Sequence, residues 1–299
     1  MDEPVGAPEA ALQRVLLTVR PYLPNLTLIG GWVPYLYQKV GGFDGWSSRL
    51  SFTQELDVLL PEDLSVEGLP PLPELMREAG LRPINDGGAT WTTGGASADE
   101  IEFLVPRLRS RGDQSTIPIR GQPGLSAIIL PYLELLERFS RPLRVPITVA
   151  DPPHPGITAL DVRVPWLGAY VLNKAITSRL RQPRTGESTN PKAAKDLLYL
   201  RDLAAAGQAV AGAIEEDVAR MIDADPTMQH AIDIAVSRLE PFARGNGNVD
   251  EVAAMLQERE PSRSLDNARA DVLGHLVDLF EILEVFRSPP PEPPDDEDA

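Results

Sequence analysis

Cysteine is missing from this 299-residue sequence, and that single absence removes disulfides, thiolate zinc centres and cysteine nucleophiles together. Histidine is almost as scarce. His154, His230 and His275 stand far apart and lack the HxxxH-type spacing of an imidazole metal site. Neither Gly-x-Ser-x-Gly nor Gly-x(4)-Gly-Lys-[Ser/Thr] occurs, which disfavours a hydrolase elbow and a P-loop. Aromatic residues amount to 6%, and Trp32, Trp46, Trp91 and Trp166 read as core or loop anchors rather than base-stacking platforms. The longest apolar runs are of strand length, far below the roughly 20 residues of a membrane helix. No basic, apolar leader opens the chain. Such a chain is expected in the cytoplasm, away from membranes.

Positive charge is also in short supply: 28 Lys and Arg stand against 44 Asp and Glu, giving a net charge of −16. A field of that sign repels nucleic acid at long range and argues against general DNA binding. The basic residues are unevenly placed. Arg163, Lys174, Arg179, Arg181, Arg184, Lys192, Lys195 and Arg201 form a run broken only by the acids Glu187 and Asp196. A run of this kind suits phosphates, or is simply the solvated face of a helix.

What is present is a core-forming share of hydrophobic residues, 42%, arranged in two styles. Residues 1–8 and 288–299 read as tails. The second is acidic and proline-rich, without the apolar side chains that would offset its ordering entropy, and is expected to be disordered. From 9 to 164, short β-rich runs alternate with helices. Leu12, Val15, Leu16 and Val19 carry helical spacing, Leu26–Ile29 reads as a strand, and Val33, Leu36, Tyr37 and Val40 return to helical spacing between glycine pairs. Further strands are expected at Glu55–Leu60, Glu100–Val105, Ser126–Leu130, Leu143–Val149 and Thr158–Val164, with a helix at Pro71–Ala79. From 165 to 287 the pattern is helical: Ala169–Arg181, Lys192–Ala206, Val210–Asp223, Met228–Leu239, Val249–Glu258 and Leu265–Phe286. Pro183, Gly207, Pro226, Pro241 and residues 245–248 divide these helices. The fold class is α/β or α+β, a mixed-sheet domain followed by a helical domain, joined near Pro165.

Chemistry concentrates in a few short stretches. Leu28-Ile-Gly-Gly-Trp32 places two glycines at a strand-to-helix turn, where a backbone without side chains can approach a phosphate at the positive end of a helix. Glu55 and Asp57 lie two apart in the next strand, so both carboxylates project from one face while Leu56 and Val58 project from the other. Two carboxylates on one face repel each other unless a cation lies between them, and Mg2+ favours one or two carboxylates with substrate phosphates and water. In Asp99-Glu-Ile-Glu-Phe-Leu-Val-Pro106, Glu100 and Glu102 share a face, and Glu102 is the candidate third acid of a two-metal site. Taken singly, a Gly-Gly pair is also an ordinary turn and alternating acids are also a solvent-facing edge. Their combination is more specific.

That combination resembles the AbiEii-type nucleotidyltransferase-like proteins of the polymerase-β-like nucleotidyltransferase superfamily. The resemblance is carried by Gly30-Gly31 and its helix, by Thr53-Gln-Glu-Leu-Asp57, and by the acidic Phe103-Leu-Val-Pro106 strand. Pro165-Trp-Leu-Gly-Ala-Tyr-Val-Leu-Asn-Lys174 and Lys192-Ala-Ala-Lys-Asp196-Leu-Leu-Tyr add to it, so that it spans roughly residues 26–203. It implies a nucleotidyltransferase-type sheet domain in which Glu55, Asp57 and Glu102 are catalytic and hold Mg2+ or Mn2+. Gly30, Gly31 and Thr53 would bind the nucleoside triphosphate, with Lys174 at its phosphates and Lys195 and Asp196 near the rim. It implies transfer of a nucleoside monophosphate to an acceptor hydroxyl, on tRNA, a protein or a small molecule. A toxin-type or phage-defence role beside a cognate antitoxin-like regulator is implied as well.

The sequence departs from that pattern in three ways. Glu55 stands where aspartate is usual, and the third acid is also a glutamate. Ser51 replaces an arginine often found two residues before the threonine, with Arg49 nearby. The loop from Gln38 to Arg49 is long and rich in glycine. These departures keep open the alternative of a non-catalytic nucleotidyltransferase-fold module that binds a nucleotide or a protein. Plain readings also stand for the basic residues: Lys174 as a solvated lysine, and Asp196 as the i+4 partner of Lys192.

Overall fold

A computed structural model describes residues 7–43, 46, 55–84, 87–94, 100–107, 115–149, 156–180 and 191–289. Arg49, Ser51 and Thr53 lie outside the described residues, as do most of the two expected tails. The architecture is α+β, an N-terminal mixed sheet followed by a C-terminal helical bundle. The chain forms two compact units, 1–173 and 174–299. Among the described residues, no helix is long and apolar enough to cross a membrane.

The sheet unit runs α1 (Ala7–Thr18), a 3-10 turn (Arg20–Asn25), β1 (Thr27–Ile29), α2 (Trp32–Val40), β2 (Glu55–Leu59), α3 (Leu72–Glu78), β3 (Arg82–Pro83), β4 (Thr90–Thr92), β5 (Glu100–Pro106), β6 (Thr116–Pro118), β7 (Ser126–Leu130), α4 (Glu134–Arg138), β8 (Ser140–Pro146) and β9 (Ala159–Pro165). Strand order is β3-β4-β5-β2-β1-β9-β8, and β7 pairs with both β5 and β6. The seven-residue β5 is gripped on both sides, by β2 along one edge and by β4 and then β7 along the other. α2 packs on β1 and β8, and α4 on β1 and β9. β8 closes one end of the sheet and carries Pro142 and Pro146, a residue type that sheets admit at their edges.

Three local interactions move element boundaries away from the sequence expectation. β8 is expected at Leu143–Val149 but stops at Pro146. The side-chain oxygen of buried Gln13 accepts the backbone N–H groups of Thr148 (2.7 Å) and Val149 (3.0 Å), which takes them out of the ladder. Trp91, read as a core or loop anchor, is a core anchor at the centre of β4, a strand the sequence pattern does not announce. It is fully buried, its indole N–H donating to the Gly88 carbonyl at 2.8 Å. Ser288, expected in the C-terminal tail, is instead held in place: its N–H and hydroxyl donate to Asp233 at 2.9 and 2.8 Å, and the Gln229 amide donates to the Phe286 carbonyl at 2.6 Å.

α5 (Leu167–Leu180) leads from the sheet into α6 (Pro191–Ala204), α7 (Gln208–Ala224), α8 (Met228–Ala243), α9 (Asp250–Arg259) and α10 (Leu265–Glu284). Pro241, expected between helices, instead lies in the last turn of α8, where a proline removes only one backbone donor. α10 starts at Ser264, whose hydroxyl accepts the Asn267 N–H at 3.2 Å, an N-cap that satisfies one of the helix's free donors. It packs against α6, α8 and α9 through Ala268, Val272, Leu276, Leu279 and Leu283, all fully buried.

Inside this bundle lies a buried ion network. Arg259 reaches both oxygens of Asp202 (2.8 and 2.7 Å), and Arg201 donates to Asp202 (3.1 Å) and to Asp271 (2.6 Å). Arg263 completes it, 2.8 Å from Asp271. Asp202 has no exposed surface. Removing one partner of a buried pair strands the others, so Asp202→Ala should cost about 3–5 kcal/mol in chemical denaturation.

Asp271 links this network to pH. Burial pushes its carboxyl up, but the hydrogen bond from Arg263 and the charge of Arg201 outweigh burial and hold it below the ordinary 3.8. A folded value below the unfolded one means that this group's contribution is complete above the unfolded value and lost as pH falls through the folded one. The melting temperature should therefore not respond to Asp271 between about pH 5 and 7, and should fall below about pH 4. Asp271→Asn should flatten that acid limb in a thermal melt series. An acid limb of unchanged steepness would count against the network.

Candidate functional site

The site is built from the middle strands of the sheet. β1 and β2 are antiparallel, with Leu28 opposite Val58 and Ile29 opposite Asp57. β2 and β5 are parallel, with Glu55 beside Glu100 and Asp57 beside Glu102. Registered neighbours project from the same face of a sheet, and successive residues from opposite faces. Glu55, Asp57, Glu100 and Glu102 therefore share one face, each partly exposed. Leu56, Val58, Ile101 and Phe103 are buried on the other. The structure thus brings the three expected acids onto one face and adds Glu100 to them. The alternation in each strand made the faces readable from sequence, but only the register pairs Glu100 with Glu55.

β4 extends the same face, with Thr90 beside Glu102 and Thr92 beside Glu100. The Thr92 hydroxyl accepts the Gly94 N–H at 3.2 Å. Arg82 is next in that row, but its guanidinium turns to the carbonyls of Arg77 and Leu81, at 2.9 and 2.7 Å. These residues escaped the sequence analysis because strands of two and three residues carry too little alternation to stand out.

The glycine turn lies directly against the acids. Gly30 has a φ of +72°, a left-handed conformation that side chains resist, and Gly31 is the first residue of α2's N-terminal cap. Both glycines are buried. A Cβ built on Gly30 would fall 2.8 Å from Cγ of Asp57 and closer still to its Oδ2. α2 is anchored by Tyr37, whose hydroxyl donates to the Pro165 carbonyl at 2.8 Å and accepts from Arg141 at 2.9 Å. Tyr35 on the same helix is held in its protonated form by burial first, and then by neighbouring Glu9 and its charge.

Among the described residues, no three Asp, Glu or His side chains converge tightly enough, as they stand, to hold a metal ion. The acids share a face rather than form a closed cage. Oxygen donors of this kind suit a hard divalent cation by their chemistry.

No protein family, no curated protein and no solved structure matches the chain. The AbiEii-type resemblance rests on the motif residues themselves.

Lys174, Lys195 and Asp196 belong to the helical unit. Lys174 is not a solvated lysine: its side chain is 12% exposed, its ammonium lies 2.7 Å from Asp196 and it sits over the ring of Tyr199. Asp196 is buried rather than at a rim. It meets Lys174 of the preceding helix, and it also accepts from Thr177 at 3.4 Å. The basic run of the sequence is likewise not one open patch. Arg201 is buried in the ion network, and Arg163 donates to the Ser140 hydroxyl at 2.7 Å. Arg181 and Arg184 lie outside the described residues.

Proposed function

We propose that this protein is a divalent-metal-dependent nucleotidyltransferase, which moves a nucleoside monophosphate from a nucleoside triphosphate to an acceptor hydroxyl. The observation that carries this reading is the parallel register of β2 and β5, which seats Asp57 beside Glu102 with the Gly30–Gly31 turn against Asp57. Asp57, Glu55 and Glu102 are the residues that would hold Mg2+ or Mn2+. When bound, the ion neutralises charge on the phosphates and on the leaving pyrophosphate.

The chain's own groups supply the rest. The positive end of α2, which begins directly after Gly31, favours the triphosphate. A carboxylate oxygen of Glu102 accepts the proton of the acceptor hydroxyl. The hydroxyl oxygen bonds to the α-phosphorus as the bond to the β-phosphate oxygen breaks, and pyrophosphate leaves with that electron pair. Lys174 is the residue that the family resemblance assigns to phosphate, and Asp196 holds its ammonium within the helical unit.

A second reading is favoured by the acids not converging into a cage and by the longer glutamates at positions 55 and 102. In that reading the same face binds a nucleotide or a protein without transfer. Calorimetry separates the two, because nucleotide binding indifferent to both divalent metal and Asp57 belongs to the second.

Incubation of the purified chain with Mn2+ and labelled nucleoside triphosphates should transfer label to an acceptor. Asp57→Asn should reduce that transfer by about a hundredfold or more, since even outer-shell partners of a metal site are worth roughly 10–100-fold. Equal labelling by wild type and variant would refute the site.

A further inference from the structure

We infer that Gly30 is a positioning residue for Asp57: the space left by its missing side chain is filled by the Asp57 carboxylate and not by a substrate phosphate. A glycine at a strand-to-helix turn is ordinarily assigned to a ligand that must approach the backbone closely. Here the close approach is already taken. Ile29, the residue before the turn, is registered opposite Asp57, so the chain leaves β1 across that side chain. A Cβ at position 30 would lie 2.8 Å from Cγ of Asp57 and 3.1 Å from its Cβ, with Oδ2 nearer still. The approaches to Cγ and Oδ2 are closer than real Cβ atoms make, so a side chain at position 30 would drive the carboxylate out of its place.

The identities of the acids follow the same geometry. Four acids share the face, and three are glutamates: Glu55, Glu100 and Glu102. The one aspartate stands under the turn. A shorter side chain fits where Gly30 limits the room, and the longer ones occupy positions not registered with the end of β1.

Residue 30 therefore acts on a bound cation through Asp57, even if no phosphate touches it. The cation arm of this claim rests on the proposed metal site, whereas the steric arm does not. Asparagine is the informative substitution, because it tolerates a positive φ better than other side chains yet still carries a Cβ. It separates the clash from backbone strain.

The test is a double-mutant cycle on the full-length chain with Gly30→Asn, Asp57→Ala and the double variant, read by thermal melting and by titration with Mn2+ alone. Gly30→Asn should lower the melting temperature in the wild-type background and lose most of that effect in the Asp57→Ala background. It should also weaken Mn2+ binding about tenfold, approaching the Asp57→Ala value. If Gly30→Asn fails to fold, recovery of folding in the double variant supports the claim, and failure in both backgrounds overturns it. Equal melting losses in the two backgrounds, with Mn2+ affinity unchanged, also overturn it. A wild type that takes up no Mn2+ sinks the proposed cation site, and the melting cycle then decides the positioning claim by itself.

Discussion

Two rows of like charge, Asp57 beside Glu102 and Glu55 beside Glu100, are held side by side in adjacent parallel strands. Like charges directly opposite each other in a sheet oppose pairing, by on the order of half a kcal/mol per pair. The other face of the same strands more than offsets this. Leu56, Val58, Ile101 and Phe103 are almost completely buried there, each side chain contributing roughly 1.5–3 kcal/mol. Because successive residues alternate, the two faces are mechanically coupled. A slip of one residue would bring Ile101 and Phe103 to the acidic face and the glutamates into the core, so the apolar packing fixes where the acids stand. The double grip on β5 makes that register harder still to lose.

The two units set their acids in different surroundings. In the helical bundle, Asp202, Asp271 and Asp196 are each matched to Arg or Lys at hydrogen-bonding distance, and the resulting network ties α6, α9 and α10 together. On the sheet face, the registered neighbours of the acids are other acids, the two threonines of β4 and, opposite Asp57, Ile29 of β1. In the bundle the matched charge serves as structural cement, and on the sheet face the acids stand in registered rows where the sheet is partly open.

Much of this was legible in the sequence, for identifiable reasons. The faces of β2 and β5 could be read because charge and apolar bulk alternate strictly in Glu55-Leu-Asp-Val and Glu100-Ile-Glu-Phe. The helices of the second half could be read because their apolar spacing is sustained over several turns. What escaped depended on contacts distant along the chain. The pairing of Glu100 with Glu55 is a matter of register. The end of β8 is set by Gln13, more than 130 residues earlier. The partner of Lys174 lies on the next helix, where local i+4 logic cannot find it, and Arg201 looks like one more surface cation until α9 and α10 close around it. Short-range patterns revealed which residues share a surface, and tertiary pairing decided what each of them meets.

The prolines of β8 bear on how the molecule behaves in company. An outermost strand with a full set of backbone donors is a template on which another polypeptide can lay down a strand of its own, the first step towards cross-β fibres. Pro142 and Pro146 delete two of those donors within seven residues. At its other end the sheet finishes, among the described residues, in β3 of two residues and β6 of three, which offer little length to copy. The described edges of the sheet thereby offer little backbone for a further strand to pair with.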